Sequence, residues 1–551
     1  MDNNHGYFFK IATSCNEFER IHQLNYQTFS EEIPQHEKNE LKKLVDPFHH
    51  ENTYIICIKD DELIGMVAVR DNRPFSLDRK IGAIEESLPI IVNRPCEVRL
   101  LAVKKEFRNG RVFVGLAQFL AQYCLEKGYD VAVISGTVRQ LKLYNQMGFQ
   151  PFAQLTGTEE ALFQPMYLTK ETFEASLAGR ILHPAIPFLP GPVQISDGVR
   201  AALMGRPYSH RTKGFREKLH RIRDLLCDLT NSQYVQVLLG SGTLANEVVA
   251  AQLSLIKGRG LILANGEFGT RIVEQAQRQG LSFDVLEKEW GQAFLKEEIV
   301  EKLSNKSTWI WAVHSETSTG MLNDLTLLKR IAEEYGLKLC LDCISSIGAV
   351  ELDLSGVFLA TGVSGKALRA FTGLSFVFHH HQVAPSPALP KYIDLGVYMV
   401  TDSIPFSHSS NFIEALLVAV ENMTSETYRK ISETHQWLRN NLKHSGYHLI
   451  TSNENNSPMI LTIALPKAVS SYEIGRVLHY NGYLLHFESE YLRQRNWMQI
   501  ACIGDYSTAT LEKMTNLLYQ VVTYELKQLQ ASTSKLPNEG AQLGRKVTLI
   551  K

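Results

Sequence analysis

Val237-Leu-Leu-Gly-Ser-Gly-Thr-Leu-Ala-Asn-Glu247 decides how this chain is read. An apolar strand runs into Gly240-Ser241-Gly242-Thr243 and then into a helix. Glycine lets the backbone approach a ligand closely. The first turn of the helix offers free N–H groups and the positive end of its dipole. Ser241 and Thr243 add hydroxyl donors, so Ser241, Gly242 and Thr243 form a phosphate cup. The same strand-then-helix alternation continues on both sides. YVQVLLG (234–240), GLILAN (260–265), TWIWAVH (308–314), LKLCLDC (337–343), VFLATG (357–362) and LSFVFHH (374–380) are apolar runs separated by helical stretches. The alternation predicts a parallel sheet with helices on both faces.

Three further segments belong with the cup. Leu339-Cys-Leu-Asp342 ends a buried strand on an acid, and the carboxyl end of a parallel strand faces the ligand crevice. Lys366, in Thr361-Gly-Val-Ser-Gly-Lys366, follows a strand 24 residues after that acid. Phe268 lies between glycines in Asn265-Gly-Glu-Phe-Gly269. A phosphate cup, a buried acid, an aromatic plate and a lysine are what pyridoxal 5'-phosphate requires. The lysine forms the Schiff base and the acid keeps the pyridine nitrogen protonated.

The block from about 189 to 525 resembles the class V, fold type I aminotransferases, in particular the serine–pyruvate, alanine–glyoxylate and 2-aminoethylphosphonate–pyruvate group. The matching words are LPGPV (189–193), SHR (209–211), GSGT (240–243), NGEFG (265–269), HSETSTG (314–320), LDCISSIG (341–348) and SGKAL (364–368). The resemblance implies that Lys366 is the Schiff-base and proton-shuttling lysine and Asp342 the pyridinium partner. Phe268 would stack on the ring, Thr317 would meet the ring hydroxyl region, and Ser241, Gly242 and Thr243 would hold the phosphate. It also implies a homodimer, with Ser407 placed where a partner-chain hydroxyl reaches the phosphate. The family's carboxylate-gripping arginine is replaced here by Gln499, in Met498-Gln-Ile-Ala-Cys-Ile-Gly504. A neutral amide cannot make a bidentate charged clamp. Either Arg493 or Arg495 takes over, or the amine carries no α-carboxylate.

The N-terminal block reads as α+β. TYIICIKDD (53–61) and ELIGMVAVR (62–70) form a hairpin around an acidic turn. EVRLLAV (97–103) is a strand, VFVGLAQFLAQYCLEKGY (112–129) a helix, DVAVISGT (130–137) a strand, and RQLKLYNQMGF (139–149) a short helix ending at Gly148. That order resembles the GNAT-type N-acyltransferases over residues 7–170. The opening LNYQTFSEE (24–32) resembles their N-acyl amino acid synthase and autoinducer-synthase branch, as does the incomplete turn Arg108-Asn-Gly-Arg111. The resemblance implies an acyl thioester donor, on coenzyme A or an acyl carrier protein. Leu101 and Val103 would hydrogen-bond its pantetheine, and Arg108, Gly110 and Arg111 would receive a phosphate. Tyr144 would be the general acid and Glu97 the base.

The expected layout is a GNAT-like domain (1–172), a linker rich in proline (173–192), a cofactor-binding large domain (193–430), a small α+β subdomain (431–530) and a mobile tail (531–551). The 57 basic and 58 acidic residues give a net charge of −1, which argues against a nucleic-acid partner. No apolar run is long enough to span a membrane. Eight scattered cysteines and a polar start without a signal pattern point to a reducing cytoplasm. Cys340-Leu-Asp-Cys343 and His379-His-His381 read as packing and edge residues, with no metal site. The chain is thus expected to be a bifunctional enzyme. One half transfers an amino group to a small oxo acid such as pyruvate or glyoxylate; the other acylates an amine. The alternative is a pyridoxal phosphate lyase or decarboxylase whose degenerate GNAT domain binds an acyl carrier as a regulatory module.

Overall fold

The computed structural model describes residues 6–33, 35–108, 110–158, 161–176, 178–179 and 184–533. Asn109, the expected tail beyond Thr533 and some of the expected linker lie outside them. Packing divides the chain into two units. The first is residues 1–185 together with Arg476–Gly482 and the chain from Leu517 on; the second is Ile186–Gly475 with Tyr483–Asn516.

In the first unit, β1 (Tyr7–Ile11), α1 (Cys15–Tyr26), β2 (Thr53–Lys59), β3 (Glu62–Arg70), β4 (Pro95–Val103), α2 (Arg111–Lys127), β5 (Val131–Thr137), α3 (Leu141–Gln146), β6 (Gln150–Pro151), β7 (Thr156–Thr158) and β8 (Ala161–Thr169) follow in order. The strands form one sheet in the order β1-β2-β3-β4-β5-β8-β6, with β7 also on β8. Ser14 caps α1 in a reciprocal box with Glu17. The β2–β3 turn places both Asp60 (φ 49°) and Asp61 (φ 64°) in the left-handed region. Two successive positive φ values match the right-handed twist of a tight hairpin. Two features shape β4. Leu100 has φ 54°, and pairing with β3 slips between Met66 and Ala68, a bulge that bends the strand. Its parallel pairing with β5 covers only Pro95↔Val131, Cys96↔Ala132 and Glu97↔Val133. Beyond Glu97 the two strands part and leave a V.

The second unit is built on β9 (Tyr234–Leu239), α4 (Gly242–Ser254), β10 (Arg259–Ala264), α5 (Glu267–Arg278), β11 (Phe283–Glu287), β12 (Ser307–Val313), β13 (Lys338–Asp342), β14 (Leu359–Val363) and β15 (Leu374–His379). The sheet order is β9-β15-β14-β13-β12-β10-β11. Side chains alternate between two buried cores. Val237, Leu261, Ile310 and Leu339 enter one; Leu238, Ile262, Trp309 and Cys340 enter the other. One strand departs from the expected parallel sheet: β15 is antiparallel to both neighbours. The link from Val363 to Leu374 is too short for the dozen or more residues of a parallel crossover, so the chain must turn back. A small antiparallel sheet of β16 (His448–Leu449), β17 (Ile460–Ala464) and β18 (Trp497–Ala501) follows. The long α6 (Thr508–Thr533) ends the described chain. Among the described residues no helix is long and apolar enough to cross a membrane.

Candidate active site

The carboxyl ends of the parallel strands in the second unit open onto a cavity of about 790 Å³. Ser241, Gly242, Thr243, Phe268, Thr317, Asp342 and Lys366 all line it, so the structure brings the expected cofactor residues together. Ser241 is the N-cap of α4 but makes no side-chain cap hydrogen bond, which leaves its hydroxyl for a ligand. Lys366 Nζ donates to Ser345 Oγ at 2.9 Å and lies 3.5 Å from Thr317 Oγ1; those two hydroxyls are 2.5 Å apart. The ammonium also sits 5.4 Å from the Phe268 ring centroid. Burial lowers the Lys366 pKa to about 8, against the opposing charges of Asp342 and Glu316.

Asp342 closes β13 and is buried. Asn246 Nδ2 donates to one carboxylate oxygen at 2.8 Å and the Ile344 N–H to the other at 2.9 Å. Asn246 is itself fixed by Thr361 Oγ1 at 2.8 Å. Burial raises the Asp342 pKa. Both donors are neutral, so neither offsets a charge on the carboxylate, which is left to a cationic N–H presented to it. The N-terminus of α5 is held by a second buried acid. Glu316 accepts from the N–H groups of Phe268 (3.3 Å), Gly269 (3.0 Å) and Ser318 (3.1 Å). This fixes the first turn of α5 and with it the Phe268 ring. A side chain at Gly266 would place its Cβ 2.4 Å from Glu316 Cγ, so only glycine admits the acid so close.

Gln499 on β18 is fully buried and does not line the cavity. Its Nε2 donates to Thr317 O (2.6 Å), Ser318 O (3.0 Å) and Thr462 Oγ1 (2.8 Å). Its Oε1 accepts from Tyr491 OH at 3.2 Å and faces His486 Nδ1 at 2.8 Å. The reversed amide would aim its oxygen at two carbonyls, so this orientation stands, and His486 carries its proton on Nδ1. The Nε2 of His486 then accepts from Ser489 Oγ at 2.7 Å. Burial lowers the His486 pKa and the charge of Lys366 lowers it further. This wall, with His486, Ser489 and Tyr491 at the cavity, is therefore neutral. Gln499, Arg493 and Arg495, expected at the substrate, do not line the cavity. The Arg495 guanidinium stacks 3.6 Å from the Trp290 ring centroid and Arg493 lies over Tyr472 at 4.8 Å, both away from the cavity. Ser407 is exposed and does not line the cavity.

In the first unit the V between β4 and β5 carries the expected acyl-donor residues. Leu101 and Val103 lie on the parted half of β4, and Gly110 (φ 87°) is the N-cap of α2. Arg108 is held by two contacts, its Nε on Val103 O (2.8 Å) and an ion pair with Glu32 (2.8 Å). Arg111 is the first residue of α2. Tyr144 packs its ring on Gly136 of β5. Its pKa is raised by burial, and a hydrogen bond to Thr137 opposes the shift. Glu97 does not match the base role expected of it. It is buried and accepts from the N–H groups of Ser76 and Leu77 (each 3.0 Å) and from Ser76 Oγ, with Arg99 Nε at 3.6 Å. Three of its four lone-pair sites hold the 76–77 turn, which ties the carboxylate to that turn.

Comparison with known proteins bears on both units. A family model described as "Aminotransferase class-V" matches residues 199–392. The soluble hydrogenase 42 kDa subunit of Anabaena cylindrica is 31% identical over 301 residues, 50% of this chain and 78% of that protein. The 2-aminoethylphosphonate–pyruvate transaminase of Paraburkholderia phymatum is 27% identical over 341 residues, 58% of this chain and 91% of the relative. The chain belongs to the class V aminotransferase family. The fold agrees: the alanine–glyoxylate aminotransferase from Nostoc sp. superposes with a TM-score of 0.56 at 23% identity, over 62% of this chain and 96% of that one. The N-terminal unit of this class V protein carries a second match, the model "N-acyl amino acid synthase FeeM", over residues 20–170.

Sequence reading of this class V aminotransferase missed several lining residues. Asn246 lies four residues after Gly242, on the same face of α4, and the 3.6-residue period could have placed it. Ser345, inside LDCISSIG, was also within reach. His486, just past the short strand Tyr483–Leu485, and Tyr491, on the short helix Glu490–Arg495, lie more than a hundred residues beyond Lys366, and no local pattern marks them.

Proposed function

We propose that the second unit moves an amino group from a primary amine to a small 2-oxo acid, and that the first unit acylates an amine from a thioester. One observation carries the first reading: Lys366 and Asp342 share one cavity with an uncapped phosphate cup. The residues fit pyridoxal phosphate, because Asp342 is buried on neutral donors alone and Ser241 has an unused hydroxyl. Ser241, Gly242 and Thr243 would hold the phosphate, Phe268 the ring face, and Asp342 a proton on the ring nitrogen. When bound, the group supplies an electron sink for the donor carbon.

The chain's own role is proton handling and positioning. A lysine with a pKa of about 8 is partly neutral near pH 7 and can take a proton from the donor carbon at Nζ. Ser345 and Thr317 hold that Nζ in place. In the balanced reaction the donor amine becomes a carbonyl compound and the oxo acid becomes an amino acid. In the acyl transfer, the amine nitrogen attacks the thioester carbonyl and the thiol leaves with the proton. Tyr144 stands as its acid; the hydrogen bonds of Glu97 to the 76–77 turn favour a structural role for that acid. The parting of β4 and β5 after Glu97 supports this second reading.

The test is a half-reaction. Purified protein loaded with pyridoxal phosphate is mixed with amines alone, and loss of the visible band with release of a carbonyl product is recorded. Evolution of carbon dioxide or ammonia without an amino product from added pyruvate would replace the transaminase reading with the lyase one.

A further inference from the structure

The cavity wall that carries the family's arginine is neutral here, yet two guanidinium groups, those of Arg271 and Arg278, line the cavity, and Arg271 is the one beside the Phe268 plate and felt at the reacting lysine. Arg271 lies on α5, one turn after Phe268, and lines the cavity with it. Its guanidinium sits 4.9 Å from the Phe268 ring centroid, and its charge is felt at both Lys366 and Tyr491. Among the described residues its ion-pair partner is Glu267, at 3.0 Å, an i,i+4 pair whose arginine side chain is 54% exposed. Such a pair is weak and exchanges readily for a better anion. The guanidinium keeps a planar fork suited to a carboxylate or phosphonate.

We propose that Arg271 is the substrate-anion residue of this site, and that the amine donor carries its acid away from the reacting carbon, toward the first turn of α5. The proposal rests on the transaminase reading for the identity of the donor, but the anion site stands on geometry alone. An acid on the reacting carbon itself would face His486, Ser489 and Tyr491, which offer no cation. An acid one or two carbons further out can leave that wall and displace Glu267 from Arg271.

The test uses the loaded enzyme and two readouts. Calorimetric titration with ethylphosphonate, an acid without an amine, measures the anion site directly. The half-reaction is then run with 2-aminoethylphosphonate, with ethanolamine and with alanine. Arg271→Ala is expected to raise the Kd for ethylphosphonate about 10- to 100-fold, the range for losing charge-assisted hydrogen bonds. The Michaelis constant for the aminophosphonate should rise similarly, while that for ethanolamine stays within about twofold. Arg271→Lys should recover some of the loss. An unchanged ethylphosphonate Kd overturns the proposal. So does an equal rise in the Michaelis constant for both amines, or alanine as the best donor. Loss of the bound cofactor's visible band in Arg271→Ala would also overturn it, assigning the guanidinium to the cofactor phosphate. If no amine reacts while the ethylphosphonate Kd still shifts, the transaminase reading fails and the anion site survives.

Discussion

Gln499→Leu removes one side chain of similar size and tests whether the amide holds the neutral wall together. The native amide serves five partners: Thr317 O, Ser318 O, Thr462 Oγ1, His486 Nδ1 and Tyr491 OH. Leucine satisfies none of them. Each buried group left without a partner costs about 1–3 kcal/mol. Thr462 can rotate, the Tyr491 hydroxyl can turn to the cavity it lines and His486 can shift its proton, so the two carbonyls stay orphaned. The expected loss is about 2–6 kcal/mol, a large fraction of the roughly 5–15 kcal/mol that holds a typical domain. The assay is urea unfolding of the cofactor-loaded protein, followed by the visible band, which reports the second unit. The midpoint should fall while the slope holds. Gln499→Glu separates geometry from charge. Its carboxyl would face two carbonyls, which favour the protonated form and raise its folded pKa. Its stability should therefore be highest at low pH and fall as pH rises above the ordinary carboxylate range. A Gln499→Leu protein within about 0.5 kcal/mol of wild type would refute the argument; that margin is typical of surface changes.

Borohydride reduction of the loaded protein should fix a pyridoxyl group on Lys366, seen by peptide mass analysis; a label on another lysine sinks the assignment. Lys366→Ala should lose turnover yet keep its far-ultraviolet spectrum. In the cofactor-free protein, the rate of reaction with pyridoxal phosphate should rise with pH with a midpoint near 8, because the neutral amine is the reactive form. Asp342→Asn removes a charge that raises that pKa, so its midpoint should move to lower pH. Tyr144→Phe should lower the rate of thioester cleavage with amine by about tenfold or more, within the usual reach of general acid catalysis. Glu97→Ala, by contrast, should act through folding. It frees the N–H groups of Ser76 and Leu77, at about 1–3 kcal/mol each, which thermal unfolding of the first unit will show.

Much of the architecture was legible because its signals are local. The alternating apolar runs from 234 to 380 marked strands of the right type and place, since each is buried on both faces. Lys366, Asp342 and Ser241 were findable because strand ends and helix starts have short signatures. The antiparallel β15 was legible in principle from loop length, though alternation alone pointed to a parallel sheet. Glu97 misled because an acid at the start of a splayed strand looks free in sequence, while its partners at 76 and 77 come from another loop. Gln499 was legible as a missing charge, but not its place behind the cavity wall. Its five partners come from distant segments, and only the fold brings them together.

The first unit is not one stretch of chain. Asn481 clasps the edge of β1 through both the N–H (2.9 Å) and the carbonyl (2.8 Å) of Phe9. Lys10 and Glu17, both buried, pair at 2.7 Å, and from the far end of α6 Tyr524 OH donates to Glu17 at 3.1 Å and Glu525 meets Lys10 at 2.5 Å. A recombination that cut the gene after Ala185 would carry off a sheet edge without its clasp and two interior charges without half their partners. Such a fragment is a poor unit of inheritance. The acyltransferase-like half can therefore be exchanged or lost only by taking the end of the aminotransferase with it, which ties the two halves into one heritable piece.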